Sequence, residues 1–150
     1  LEKGKTTNIY LKKKNAAQNF EISFSGDNVE LSKIYNAYSQ AFDIMKYFSI
    51  DPEFSKTFEE YRQILEQEYA SLKKTLASMK DSQWRSYYSG LAEGMYKWTK
   101  IRIIMDESFE KNKPFKDSPE YKELLSSIDP NDDVSFKSNL STAWLGDDAS

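Results

Sequence analysis

The chain has no cysteine and no histidine. Together these absences remove disulfides, thiol nucleophiles, zinc held by imidazole or thiolate, and every histidine-based triad. Any remaining chemistry has to run on carboxylates, lysine, tyrosine or serine. Missing cysteine fits an oxidising and a reducing compartment equally, so it says nothing of location. No apolar run approaches the ~20 residues that a membrane-spanning helix needs. A signal-peptide pattern is missing too, and the abrupt opening Leu1-Glu2-Lys3 reads as the start of an excised or processed piece. One-sided charge is also lacking. With 21 basic and 24 acidic side chains the formal charge is −3, which gives no electrostatic case for nucleic acid as a partner. Lys12-Lys13-Lys14 is too short a run to alter that and reads as a solvated turn.

The 150 residues suit one domain with a real core. With 39% apolar and 30% charged residues, the composition is that of a globular chain rather than a disordered one. Aromatic residues, at 15%, are abundant and tyrosine leads them. Its hydroxyl wants water or a partner, which places many of these rings at the core boundary.

Two short β-prone segments come first, Thr6–Leu11 and Asn19–Phe24. In the second, Phe20, Ile22 and Phe24 alternate with Glu21 and Ser23, the pattern of a half-buried strand. A polar connection, Lys12 to Gln18, separates the segments, and Gly26-Asp27-Asn28 makes a turn after them. Two strands cannot bury a face alone, so this pair has to pack on helices, join other strands or meet a partner.

Helical periodicity then takes over. A first helix is expected over about Val29–Ser49, with Leu31, Ile34, Tyr38, Ala41 or Phe42, Met45 and Phe48 on its apolar face. Asp51-Pro52-Glu53 reads as cap and first turn of a second helix, running to about Lys80. Asp81 or Ser82 caps the third, which ends near Glu110 and organises the rest. Its apolar stripe is expected through Trp84, Tyr88, Leu91, Met95, Trp98, Arg102, Met105 and Phe109, widened by a second line through Tyr87, Leu91, Ile101 and Ile104. At ~1.5 Å per residue, helices two and three each approach 40 Å and should form an antiparallel hairpin. Gly90 and Gly94 face one way on the third helix, a sign of close approach by helix one or an aromatic ring. Ser118-Pro119-Glu120 opens a fourth, short helix, and Phe136–Leu145 offers a fifth. The expected fold is therefore mainly α: an antiparallel bundle of three long and two short helices with a short N-terminal β-hairpin. Residues 1–28 form the strand pair, 29–146 the helical domain and 147–150 a disordered tail.

Candidate sites each have a plainer explanation beside them. Asp129, Asn131, Asp133 and Ser135 alternate as calcium ligands do. However, Val134 stands where the loop needs glycine and Leu140 where it needs a bidentate glutamate, so Asx turns and a cap explain them more cheaply. Glu59, Glu60, Glu66 and Glu68, with Glu93, Asp106, Glu107 and Glu110, carry enough carboxylates for a di-metal bundle site but lack its histidines. No metal, cofactor or catalytic residue is therefore expected, and no enzyme. Trp84, Tyr87, Tyr88, Tyr96, Trp98 and Trp144 are the candidate ligand-facing aromatics, a platform for a sugar, small molecule or peptide. Core packing is the competing explanation for the same rings. Asn139-Leu140-Ser141 matches a glycosylation triplet, which has meaning only in a eukaryotic secretory setting.

The N-terminal residues carry a resemblance. Leu1-Glu2-Lys3-Gly4-Lys5-Thr6, Ile9-Tyr10-Leu11 and Phe20 through Asn28 resemble the end of the β-rich module in large thiol-disulfide oxidoreductase-like (TlpA/ResA-like) envelope proteins of Bacteroidetes. Ile128-Asp129-Pro130-Asn131-Asp132, running on to Leu140, is similar to the late helical segment of those proteins. In that family a small β-domain precedes a helical segment and a thioredoxin-like domain follows. The Cys-x-x-Cys pair has no counterpart here, so no redox residue carries over. The resemblance implies that residues 1–28 end a preceding β-module and that the compartment is the periplasm or an outer-membrane-associated envelope. It also implies a non-catalytic, thioredoxin-associated accessory role, with neighbouring domains of the same polypeptide or another envelope protein as partners. Neither nucleic acid nor membrane insertion is expected. The alternative is a small-molecule or glycan-binding module using the aromatic-rich helical edge.

Overall fold

The structure, a computed structural model, describes residues 5–13, 20–43, 46–47 and 56–128. Within them the fold is mainly α with a short N-terminal antiparallel β-hairpin. The chain divides into two compact units, Leu1–Gln40 and Ala41–Ser150.

In the first unit, strand β1 (Thr7–Lys13) pairs antiparallel with β2 (Phe20–Gly26). Ile9 faces Phe24 across the ladder and Leu11 faces Ile22, which puts these four residues on one side. Asn8, Tyr10 and Ser25 lie on the other side, where Asn8 Nδ2 donates to Ser25 Oγ (3.4 Å) and Ser25 Oγ to Tyr10 Oη (3.3 Å). The base of the ribbon is closed tightly. Asp27 N–H donates to the Thr6 carbonyl at 2.9 Å, and Thr6 N–H to Asp27 Oδ2 at 3.1 Å. Gly26 turns the chain there with φ +103°, and a Cβ would lie 2.4 Å from the Thr6 oxygen. Only glycine fits that conformation in that space. Helix α1 (Val29–Ala41) follows at once, with Ile34 buried. It is 13 residues long and does not reach Ser49 as the periodicity suggests: Phe42 is already in a turn.

In the second unit, α2 (Phe58–Ala77) starts later than Asp51-Pro52 suggests. Lys56 and Thr57 are not helical, while residues 51–55 lie outside the described set. The start is set by a capping box. Thr57 Oγ1 accepts from Glu60 N–H (3.2 Å), and Glu60 Oε2 accepts from Thr57 N–H (2.8 Å). Its 20 residues span about 30 Å, not 40.

Helix α3 (Ser82–Glu110) has the expected bounds, runs unbroken through Gly90 and Gly94, and resolves its cap as Asp81. Asp81 Oδ1 accepts from Gln83 N–H at 2.9 Å and Trp84 N–H at 3.0 Å. A 3-10 turn (Phe115–Asp117) leads to α4 (Pro119–Ser126), capped by Ser118 with Pro119 in its first turn. The expected fifth helix at 136–145 lies outside the described residues.

α2 and α3 run antiparallel. Contacts join Arg62 to Glu107, Glu66 to Lys100 and Tyr69 to Tyr96, so position rises on one helix as it falls on the other. Tyr47, Tyr61, Leu65 and Ile103 form one buried cluster, with Phe42, Phe58, Ile64 and Tyr96 around it. Ile101, Ile104, Tyr121 and Leu124 form a second, which seats α4 on α3 beside Met105 and Phe115. Fully burying an aliphatic side chain of this size stabilises by roughly 2 kcal/mol.

The first expected stripe of α3 is not its buried face, although Ile101 and Ile104 of the second apolar line are buried. Its dry residues are Ala92, Thr99, Ile101, Ile103 and Ile104, whereas Trp84, Tyr88, Leu91, Met95, Trp98 and Met105 are half-buried. Arg102 is exposed and Phe109 is 88% exposed. One residue step turns a helix by roughly 100°, and the seam toward α2 (Ala92, Tyr96, Thr99, Ile103) is rotated from the aromatic stripe by about that angle. Ala92 is small, and Thr99 turns its hydroxyl back to the Met95 carbonyl (2.8 Å), so neither adds bulk or an unpaired polar group to that face. Large rings suit a boundary better than a close seam.

Candidate functional site

The candidate aromatics do not form one platform. Trp84, Tyr87 and Tyr88 cluster in the first turns of α3, with ring centroids 5.5 to 6.1 Å apart. Tyr87 meets both neighbours edge to face, at 86° and 84°, and is 44% exposed. Trp98 lies on the same side of the helix but about 21 Å further along, and it is half-buried. Tyr96 is turned toward α2, where its ring stacks on Tyr69 at 4.3 Å. Trp144, the calcium-like residues Asp129 to Ser135 and the triplet at Asn139 all lie outside the described residues.

Most of the candidate carboxylates bind a neighbouring side chain or a helix cap. Glu60 closes the α2 cap, Glu68 takes Lys46 Nζ at 2.8 Å, Glu93 takes Lys97 at 2.8 Å, and Asp106 takes Arg102 at 3.1 Å. Among the described residues no group of Asp and Glu is arranged to hold a metal ion. Glu59 accepts from Gln63 Nε2 at 3.2 Å, while Glu66, Glu107 and Glu120 form an alternating ladder where α2 and α4 both meet α3. Lys111 and Arg62 bind Glu107; Arg62 also lies 3.5 Å from Glu120; Lys100 lies 3.6 Å from Glu120 and 3.7 Å from Glu66. The Tyr96 hydroxyl donates a hydrogen bond to Glu66 Oε1.

Protonation follows from these contacts. For Glu107, burial works to raise the pKa, but hydrogen bonds from Lys111 and Arg62 and their charges outweigh it and hold the carboxyl below its ordinary range. Burial first, then the Glu66 bond and charge, push the Tyr96 phenol well above its usual range. Tyr69 rises through burial and the charges of Glu93 and Glu66. Tyr47 rises through burial, then Glu68 and Asp43, and its hydroxyl donates to the Ala41 carbonyl at 2.6 Å. These tyrosines stay protonated across the neutral range, and the ladder fastens three helices together.

The β-ribbon is the contrasting surface. Ile9 is 62% exposed, Leu11 65% and Ile22 39%, while Phe24 beside them is half-buried. β1 and β2 form a two-stranded sheet, so among the described residues both outer edges are open. Sequence alternation pointed to these residues as an apolar face; only the structure shows how much of it is exposed. No helix in the described residues is long and apolar enough to cross a membrane. Comparison with protein-family models, curated proteins and solved structures finds no match to this chain.

Proposed function

We propose that this chain is a non-catalytic interaction or spacer module whose ribbon docks on a neighbouring domain while the helical unit serves as scaffold. The observation that carries this is the exposed face of Ile9, Leu11 and Ile22 on a two-stranded sheet with open edges. Covering each of these side chains is worth roughly 2 kcal/mol, and an added strand would satisfy an edge. The N-terminal resemblance supports the setting: a bacterial envelope protein of the periplasm or outer membrane. There the partner is a neighbouring domain of the same polypeptide, thioredoxin-like in that family, or another envelope protein. Amide exchange over residues 7–13 and 20–26, measured in this chain alone and joined to a neighbouring envelope domain, tests the reading. Slowing by at least about tenfold in the joined form is expected. Equal protection in both overturns it.

The Trp84–Tyr87–Tyr88 cluster, with Tyr87 44% exposed, favours a second reading: a small-molecule or glycan-binding edge. Tryptophan emission titrated with oligosaccharides tests it. A saturable shift that Trp84→Ala removes would favour this edge over the ribbon.

A further inference from the structure

Tyr69 on α2 and Tyr96 on α3 stand face to face across the helix seam, with ring centroids 4.3 Å apart and planes inclined by 17°. Their ring carbons are thus already at van der Waals separation. Both residues are half-buried. The rings are near enough to the surface to pass an electron to an oxidant, yet held away from rings on other molecules. The Tyr96 hydroxyl donates to Glu66 Oε1, a charge-assisted bond that supplies a place for the phenol proton. Lys73 Nζ lies 4.5 Å from the centre of the Tyr69 ring, and Lys100 Nζ is 3.5 Å from the Tyr96 oxygen. With no cysteine in the chain, no thiol intercepts a radical formed here.

We propose that Tyr69 and Tyr96 form a site of intramolecular oxidative cross-linking, yielding dityrosine when hydrogen peroxide is consumed by a haem peroxidase. Each phenol gives up one electron to the peroxidase and one proton, which passes from Tyr96 to Glu66 and from Tyr69 to water. The two phenoxyl radicals couple through ring carbons ortho to oxygen, forming one C–C bond. The hydrogens on those carbons then move to the phenol oxygens and restore both aromatic rings. The peroxide takes up the two electrons and two protons and leaves as two waters. The product ties α2 to α3 covalently.

Exposure alone selects other tyrosines. Tyr35 is 62% exposed, Tyr10 55% and Tyr87 44%. Tyr87 and Tyr88 are also neighbours, but their rings are nearly perpendicular at 84° with centroids 5.5 Å apart. Reaction by accessibility would therefore give products between molecules, through Tyr10, Tyr35 or Tyr87. Reaction by geometry gives a monomer linked between Tyr69 and Tyr96.

The whole 150-residue chain, dilute, is treated with peroxide and a haem peroxidase. A monomer lighter by two hydrogen atoms is expected, with blue dityrosine fluorescence and a tryptic fragment joining Tyr69 to Tyr96. Tyr69→Phe and Tyr96→Phe, which keep the ring packing, should each abolish that fragment. Glu66→Gln should slow its formation several-fold, because the proton acceptor is lost, at a temperature well below the melting point of the variant. Cross-links confined to dimers, or a Tyr69–Tyr96 fragment that forms as fast in Glu66→Gln, would overturn the proposal.

Discussion

Glu120, in the first turn of α4, lies between Lys100 of α3 and Arg62 of α2, with one oxygen 3.6 Å from Lys100 Nζ and the other 3.5 Å from Arg62 Nη2. Three helices therefore meet at one carboxylate. Arg62 and Lys100 side chains are 21% and 23% exposed, so these charges are more shielded than an ordinary surface pair. The salt ladder is worth more than isolated surface bridges but less than a fully buried pair.

Arg62→Leu should cost about 1–2 kcal/mol in urea unfolding, because Glu107 and Glu120 lose a shared counter-charge. Glu120→Gln should cost less, about 0.5 kcal/mol, since Glu107 keeps Arg62. Its effect should concentrate on α4, where amides over Tyr121–Ser126 exchange faster while those of α2 hold. Equal costs for the two variants would show that the ladder is not organised around Arg62.

Stability should fall at both ends of the pH scale for identifiable reasons. The depressed pKa of Glu107 means its contribution is present above the ordinary carboxylate pKa of about 4.5 and is lost as pH falls through the folded value. Tyr96, Tyr69 and Tyr47 have raised pKa values. Their contribution is full below a phenol pKa of about 10 and is lost as pH rises through the folded values. Melting temperatures across pH should show a weaker acid limb in Glu107→Gln and a weaker alkaline limb in Tyr96→Phe. Each variant should leave the opposite limb unchanged.

Gly26→Ala should open the base of the ribbon. The new Cβ has no room beside the Thr6 carbonyl, and φ +103° is strained for alanine. A penalty of about 1–3 kcal/mol is expected locally. Loss of exchange protection at Asp27 N–H, which donates to Thr6, reads it out. Undiminished protection there would show that the turn relaxes without cost.

Asn112 presents the reverse case. It ends α3 at φ 51°, with Lys113 N–H donating back to the Ser108 carbonyl at 2.8 Å, a Schellman closure. Glycine takes this conformation more easily than asparagine, so Asn112→Gly should stabilise by about 0.5 kcal/mol and Asn112→Ala should destabilise. Urea midpoints of the two variants should move in opposite directions.

Local chemistry was legible in the sequence where it is strictly local. Asp81, Ser118-Pro119 and the Gly26-Asp27 turn all act as their residue types suggest. Thr57-x-x-Glu60 ahead of Phe58 is an equally local signal, but Pro52 is the louder punctuation and drew the helix start to itself. Rotation was only partly legible: Ile101 and Ile104 are buried, as the second apolar line suggests, but the seam toward α2 lies off both lines. A helix with apolar residues on several sides allows more than one buried face. The α2 seam, marked by small Ala92 and the polar Thr99, is quieter than a line of tryptophans and tyrosines. For the same reason the sequence alone groups Tyr96 with an aromatic edge, although it lies against Tyr69.

That rotation can be tested with a pair of truncations on α3. Ile103 is fully buried beside Leu65, Tyr61 and Tyr47, so Ile103→Ala leaves a cavity and should cost about 3–4 kcal/mol. Leu91, centred in the aromatic stripe, is only half-buried. Leu91→Ala should cost about 1–2 kcal/mol, because part of the removed surface is already wet and less cavity remains. Polar replacement should sharpen the contrast. Leu91→Asp lets its carboxylate reach water, whereas Ile103→Asp traps a charge between α2 and α3 and should prevent cooperative folding. Urea unfolding of all four variants ranks the two faces. If Leu91 proves as costly as Ile103, the buried side of α3 is the aromatic stripe after all, and the seam through Ala92, Thr99 and Ile103 is misplaced.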